Sequence, residues 1–219
     1  MDAKSQALTI WGTGGHAISV LEIALASGFT DIVFCDETPS VREFESFRLL
    51  SLDELKQGHS SRLVVIAVGD NHNRQLVAER LESALGHPLF GTLVHPSASV
   101  ASSASLGPGT VVMQGAIIGA KSRIGDRCIV NTGASLDHES SMASFSSLAP
   151  GVVAGGRVVI GERSAIGIGA AIRHGVRIGQ DTVVGSASYV HEDLPNNVVA
   201  YGTPARIVRP RNSDDLYLA

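Results

Sequence analysis

Ile118-Gly119-Ala120-Lys121-Ser122-Arg123-Ile124-Gly125-Asp126-Arg127-Cys128-Ile129-Val130-Asn131-Thr132-Gly133-Ala134-Ser135-Leu136 carries an aliphatic residue at every sixth position. The same register extends in both directions, through Val94, Val100, Leu106 and Val112 on one side. On the other it runs through Met142, Leu148, Ala154, Ile160, Ile166, Ile172, Ile178, Val184 and Val190. All seventeen positions are apolar and only Ala154 is small. Glycine often follows (107, 119, 125, 155, 161, 167, 179, 185), and the residue four places on is usually small or β-branched, as at Thr110, Ala116, Ser122, Cys128 and Ala134. Neither helix nor simple strand sustains a period of six, so this is an internal repeat. Each hexapeptide is one short strand and a turn, and three close a triangular coil. The large aliphatic residue fills the corner, the small one packs beside it, and glycine permits the turn backbone. At a parallel-strand spacing of about 4.8 Å the nearly six coils form a prism roughly 28 Å tall. The register is unbroken, so no inserted loop is expected.

Ahead of the repeat, β and α signals alternate. Ala7 to Trp11 reads as a buried strand running into Gly12-Thr13-Gly14-Gly15-His16-Ala17, followed by a helix that stops at Gly28. Ile32 to Cys35 is a second strand ending at Asp36. Ser51-Leu52-Asp53-Glu54 has the form of a capping box. Leu63 to Val68 is a third strand, and Gly69-Asp70-Asn71 leads into a helix from about His72 to Leu85. Short loops between such elements predict a small, open, Rossmann-like parallel sheet. Pro39 to Arg48 reads as a loop. The expected fold is thus an α/β N-terminal Rossmann-like small domain plus a hexapeptide-repeat β-helix. The expected units are residues 1–93, 94–195 and a C-terminal segment 196–219.

Gly12-x-Gly14-x-x-Ala17 fits a dinucleotide fingerprint, with Asp36 placed for a ribose. Bare backbone N–H groups at a helix start suit a phosphate, although a ligand-free βα turn has the same pattern. The sheet is short for a nicotinamide fold, so a nucleotide-sugar site is the better reading. Gly12, Gly14, Gly15, His16, Asp36, Gly69, Asp70 and Asn71 are its candidates, because they share the carboxyl edge of the sheet. Asn71 is equally readable as a helix N-cap, and His16 as a helix cap.

The formal net charge of −4 gives no case for nucleic acid or an anionic membrane. No apolar run has transmembrane length and no signal peptide is evident. Cys35 and Cys128 fall in different predicted domains, so a disulfide is not expected and a cytoplasmic setting fits. His174 and His191 lack close ligand spacing, so no metal is expected. Asp126, Glu162 and Asp181 read as solvated turn residues, His95-Pro96 as the start of the first coil. Arg206 and Arg209 read as exposed tail arginines or phosphate contacts. His138, in Asn131-Thr132-Gly133-Ala134-Ser135-Leu136-Asp137-His138-Glu139, lies two places after a corner residue and should leave the prism. An imidazole there can serve as a general base, with Asp137 or Glu139 holding its tautomer.

Ile10 to His16, Val65 to Asn71, Val94-His95-Pro96, Asn131 to Glu139 and Gly202-Thr203-Pro204-Ala205 together span nearly the whole chain. In these stretches it resembles the bacterial nucleotide-aminosugar acetyltransferases of the PglD and PerB kind, a group that includes relatives of sialic-acid O-acetyltransferases. The resemblance implies a left-handed β-helix and a homotrimer with active sites between subunits. Its substrates would be acetyl-CoA and a nucleotide-linked 4-amino-4,6-dideoxy sugar, with direct attack of the amine on the thioester. It implies His138 as general base, Glu139 as its partner or a substrate contact, and Asn131 as support. It further implies Gly156 as the backbone donor to the thioester oxygen, and Ala154, Gly155, Gly169, Ala170 and Pro204 along the cofactor. Some relatives have a second histidine where this chain has Ser147. Sugar O-acetylation, a non-catalytic trimeric nucleotide-binding scaffold and a dehydrogenase are the competing readings.

Overall fold

The computed structural model describes residues 6–58 and 61–217. The outer limits expected for the first and last units, residues 1 and 219, lie outside them. Strand β1 (Leu8–Trp11) runs into α1 (Gly15–Ala26), then β2 (Ile32–Asp36), β3 (Glu43–Phe44), β4 (Phe47–Ser51), α2 (Leu52–Gly58), β5 (Leu63–Ile66), α3 (Asn71–Leu85) and β6 (Leu89–Phe90). The sheet order is β3-β4-β2-β1-β5-β6, parallel throughout except for the β3–β4 hairpin. Successive elements leave central β1 toward opposite edges, so the crevice at the carboxyl ends of β1 and β5 is a topological switch point. The hairpin and β4 lie partly in the stretch read as a loop. Glu45 and Ser46 both adopt positive φ there, 49° and 64°, a two-residue turn that the absence of Gly or Asn conceals from sequence patterning.

Local signals explain the helix ends. Gly28, at φ 87°, lets Phe29 N–H reach back to Ala24 O at 3.0 Å and close α1. Ser51 and Glu54 exchange both capping-box bonds at the start of α2: Ser51 N–H to Glu54 Oε2, 2.8 Å, and Glu54 N–H to Ser51 Oγ, 3.3 Å.

From Leu93–Val94 to Tyr189–Val190, seventeen two-residue strands form the β-helix, each ending on one of the seventeen apolar positions. Strands pair in parallel with those eighteen residues away, as Val112 with Val130 and Val130 with Leu148. The first face begins at Leu93–Val94, the second at Ser99–Val100 and the third at Ser105–Leu106. Corner residues from Val112 to Val190 are 0–4% exposed, and the small residues Thr110, Ala116, Ser122, Cys128, Ala134, Ser164 and Ala170 are wholly buried.

The glycines play a different part from the one expected. Those directly after the corner residue do not adopt positive φ. The left-handed residue is two places further on and is often not glycine, as at Lys121, Arg127, Glu139 and Arg157. The post-corner glycines instead let coils stack: a Cβ on Gly119 would come 2.7 Å from His138 N and 2.8 Å from Asp137 C in the next coil.

The C-terminal segment is not a plain tail. Val198–Gly202 extends the first face in parallel and Ala205–Pro210 returns antiparallel to it. Asp181, expected to be solvated, is 2% exposed, because Arg163 and Arg211 both converge on it.

The first face packs on the α/β unit, where Leu93, Val111 and Met113 join Leu8, Ile10, Val20 and Phe34 in one core cluster. Arg74 fastens the junction. It is 1% exposed, and its guanidinium donates to Val68 O, Gly69 O and Asn71 Oδ1 on one side and to Arg127 O and Phe145 O on the other. Burial pulls its pKa below the usual arginine value. None of the five acceptors is a carboxylate, so the charge is hydrogen-bonded only by dipoles, and removing it would strand all of them but Gly69 O, which keeps the Tyr217 hydroxyl.

Candidate active site

Residue 138 is at the second place of a corner turn, so its side chain leaves the prism, 47% exposed. Left-handed Glu139, at φ 55°, turns its carboxylate back onto the ring, and Oε2 lies 3.1 Å from His138 Nδ1. Asp137 instead accepts the His138 backbone N–H at 2.7 Å, with its other oxygen 4.0 Å from Nε2. Of the two flanking acids, Glu139 therefore holds the imidazole. With Nδ1–H donated to Glu139, Nε2 carries the lone pair.

Nε2 faces Gly156 in the coil above: a Cβ there would lie 2.5 Å from Nε2, 2.7 Å from Cε1 and 2.9 Å from Cδ2. The ring thus occupies the space that glycine leaves. Among the described residues, no acceptor takes the Gly156 N–H. A proton acceptor thus lies against a residue whose backbone N–H has no acceptor, two kinds of group that acyl transfer uses.

Asn131 does not join them within one chain. Seven residues is one side of the triangle plus one, so Asn131 sits at the previous corner. There it lines a cavity of about 330 Å³ between the first face and the α/β unit. Its walls include Leu148, Ile166 and Ile168 on the prism, His16 and Gly69 from the carboxyl edge of the sheet, and Tyr217. His138 is not among the lining residues.

A second cavity of about 320 Å³ lies across the glycine loop, lined by Thr13, Asp36, Ser40, Phe44 and Leu49. Asp36 Oδ2 accepts from Thr13 Oγ1 at 3.0 Å, and its Oδ1 accepts from Glu37 N–H at 2.8 Å. Between the cavities, Gly14 caps α1 without a side-chain bond, and no acidic residue lies in the first turn. A Cβ on Gly14 or Gly15 would meet nothing within 4 Å, so packing does not demand glycine at either place and their backbone stands open. This is a helix start free to receive an anion. Gly12 is different: at φ 109° it needs glycine for the turn itself.

Several expected contacts are otherwise engaged. The N-cap of α3 is Asp70, not Asn71; its carboxylate accepts from Asn73 N–H at 2.9 Å. Asn71 is wholly buried and donates to Arg163 O and Ser164 O across the domain junction. Of that trio only Gly69 lines the cavity. Ala154 and Ala170 point into the prism, 2% and 0% exposed, because the six-residue period assigns them a corner and a small inward position. Their side chains are closed to a cofactor. Gly155 is half-buried, while Gly169 and Pro204 are exposed. Thr13 and Tyr217 were not anticipated; a tail tyrosine carries no motif.

His16 Nε2 is sealed from solvent without a hydrogen-bond partner. Burial first, and the Arg74 charge second, bring its pKa from 6.5 down to about 4. The unfolded chain takes up this proton near pH 6.5 and the folded chain only near 4, so stability is full above 6.5 and falls as pH drops through that window. The slope reaches at most about 1.4 kcal/mol per unit. Urea midpoints between pH 7 and 5 should decline less steeply in His16→Asn than in the parent. An imidazole NMR titration of the parent should show His16 neutral at pH 5; a midpoint near 6.5 would contradict the burial argument.

Comparison with known proteins places the fold in a family. Residues 7–81 match the family model of the PglD N-terminal domain. A UDP-N-acetylbacillosamine N-acetyltransferase from Bacillus subtilis (strain 168) is 38% identical over 111 residues, 48% of this chain and 50% of that protein. The match thus spans about half the length of that curated relative. Solved structures match almost throughout. The acetyltransferase domain of PglB from Neisseria gonorrhoeae FA1090 is 33% identical with a TM-score of 0.86, covering 93% of this chain and 100% of that one; it has also been solved with acetyl coenzyme A. PerB from Caulobacter crescentus, in complex with CoA and GDP-perosamine, is 36% identical with a TM-score of 0.85, covering 94% and 98%. Fold and site define the class, a hexapeptide-repeat, acetyl-CoA-dependent sugar N-acetyltransferase. Within it, the chain belongs to the PglD/PerB-like family of nucleotide-sugar N-acetyltransferases.

Proposed function

We propose that this chain transfers the acetyl group of acetyl-CoA to the 4-amino group of a nucleotide-linked 4-amino-4,6-dideoxy sugar, with His138 as general base. The observation that supports the chemistry is the closeness of the His138 ring to Gly156, whose N–H has no acceptor, under the hold of Glu139 on Nδ1. The amine nitrogen attacks the thioester carbonyl carbon, and its proton passes to Nε2. The Gly156 N–H steadies the carbonyl oxygen as it becomes an oxyanion. The C–S bond then breaks and CoA leaves as the thiolate, taking the proton back from the imidazolium. No nucleophilic Cys or Ser is required, and the two cysteines are buried and free, in keeping with a cytoplasmic setting.

On the acceptor side, the glycine loop would take the diphosphate on the start of α1, with Asp36 and Thr13 toward the nucleoside and the His16 cavity toward the sugar. His138 and Asn131 lie at the two corners flanking the second face. The outer surface of that face is apolar, with Ile117 and Val153 50% and 57% exposed. A neighbour packed there would bring one copy's His138 beside the next copy's Asn131, a heterologous contact that can close after three copies. PerB is known with CoA and GDP-perosamine together, including forms with one histidine replaced by Ala or Asn, which supports an acceptor of this kind.

The test is to incubate the protein with acetyl-CoA and GDP-, UDP- and dTDP-linked 4-amino-4,6-dideoxy sugars, to follow thiol release, and to locate the acetyl group by mass spectrometry. Release with one aminosugar and acetyl on nitrogen is expected. Acetyl on oxygen would redirect the reading to O-acetylation, and no thiol release with any of them would reject it.

A further inference from the structure

The last residues of the described chain do not trail into solvent. Arg211, its side chain 2% exposed, donates from Nη1 to Asp181 O at 3.1 Å. From Nη2 it donates to Asp215 O at 2.8 Å and Ser213 O at 3.4 Å. Asp181 is itself gripped by Arg163 through bonds of 2.8 and 2.6 Å, and Arg163 reaches Gln75 on α3 at 3.0 Å. Residues 212–217 are thereby coiled around one buried guanidinium, which also lies 5.8 Å from the centre of the Tyr217 ring. The coil delivers that ring to the junction of the two domains.

At the junction the Tyr217 hydroxyl donates to Gly69 O at 3.2 Å and accepts from Asn71 N–H at 3.1 Å, one of the N–H groups that the first turn of α3 leaves unpaired. The ring lines the 330 Å³ cavity together with His16, Asn131 and Ser147. One side chain thus joins Arg74 in holding the rim loop and forms part of the wall. Its grip is local and polar, and the segment bearing it contributes no residue to the main core clusters.

We propose that Tyr217 is a positioning residue for the acceptor sugar, its ring closing the cavity wall and its hydroxyl holding the Gly69–Asn71 rim in place. The inference rests on the assignment of this cavity to the acceptor. It adds that the C-terminal segment, outside both the glycine loop and the prism, takes part in substrate choice.

Full-length Tyr217→Phe and Tyr217→Ala, with the parent, should be assayed for KM toward the accepted nucleotide aminosugar and toward acetyl-CoA, and for thermal midpoint. Tyr217→Phe keeps the wall and loses the loop bonds, so acceptor KM should rise about three- to tenfold. Tyr217→Ala loses both, and a rise of about tenfold or more is expected. Acetyl-CoA KM should stay within about twofold in each, a split that a merely structural role would not produce. If Tyr217→Ala fails to fold, the Phe variant decides the matter alone. Unchanged acceptor KM in a chain that turns over, or a rise confined to acetyl-CoA, would overturn the assignment. A parent that releases no thiol with any aminosugar would instead reject the acetyltransferase reading, and this assignment with it.

Discussion

His138→Ala is expected to lower kcat by about 10²–10⁴-fold while leaving acetyl-CoA affinity close to that of the parent. The geometry separates the two effects. In the proposed mechanism the ring offers its bare Nε2 to the amine, while its Nδ1–H goes to Glu139 at 3.1 Å, and neither bond belongs to the coil backbone. The coil itself is carried by backbone bonds that alanine keeps, among them Asp137 N–H to Ala154 O at 3.0 Å and Arg157 N–H to His138 O at 2.8 Å. Loss of the ring removes the proton acceptor and leaves the prism standing. Steady-state turnover with the accepted aminosugar and calorimetric titration with acetyl-CoA make the measurement. A variant within about threefold of the parent in kcat would take His138 out of the base role.

Gly156→Ala should be nearly as damaging, at about 10²-fold in kcat, by displacing the same ring. An added Cβ would stand 2.5 Å from Nε2, closer than real Cβ atoms approach anything, so something must move. The backbone is the stiffer partner: Gly175 N–H bonds Gly156 O at 2.9 Å from the coil above, and Arg157 N–H ties the turn to the coil below. The half-exposed imidazole is free to swing outward. The thermal midpoint should therefore shift by no more than about a few degrees while turnover collapses, with the imidazole rotated away from residue 156. Because both changes act on one pair of groups, His138→Ala/Gly156→Ala should be scarcely slower than His138→Ala alone. Fully multiplicative losses would mean that Gly156 acts independently of the ring.

The solenoid was legible because its cause is periodic. A residue such as Leu136 is wholly buried for the same reason as Val130 and Met142, and the strands fall on the repeat from end to end. The capping box at Ser51 and the stop at Gly28 were also legible, since each is a local bond between near neighbours. The phase of the repeat also placed His138 outside the prism, since two places past a corner a side chain has no room inside; exposed His174 shares that phase, and the resemblance singled out His138 between them. The phase of Ala154 and Ala170 said equally plainly that they point inward, against the cofactor role that the resemblance implied.

What escaped reading depends on partners distant in the chain. Asp181 appeared solvated because nothing near it in sequence announces that Arg163 and Arg211 meet upon it. Asn71 looked like a ligand contact or a cap until Arg163 O and Ser164 O, some ninety residues away, were found to hold it. The post-corner glycines seemed to serve turns, whereas the next coil's backbone requires them.

By itself the order of residues determined the repeat, its inward and outward positions, and the imidazoles that leave the prism, His138 and, in the same phase, His174, because those follow from spacing along a single strand-and-turn unit. Only the tertiary structure decided that Glu139 rather than Asp137 holds the His138 imidazole, that Gly156 makes room for it, and that Asn131 and Tyr217 share a cavity with His16. Those choices arise where separate coils, the sheet edge and the tail come within a few ångströms of one another, and such distances are set by how the pieces stack.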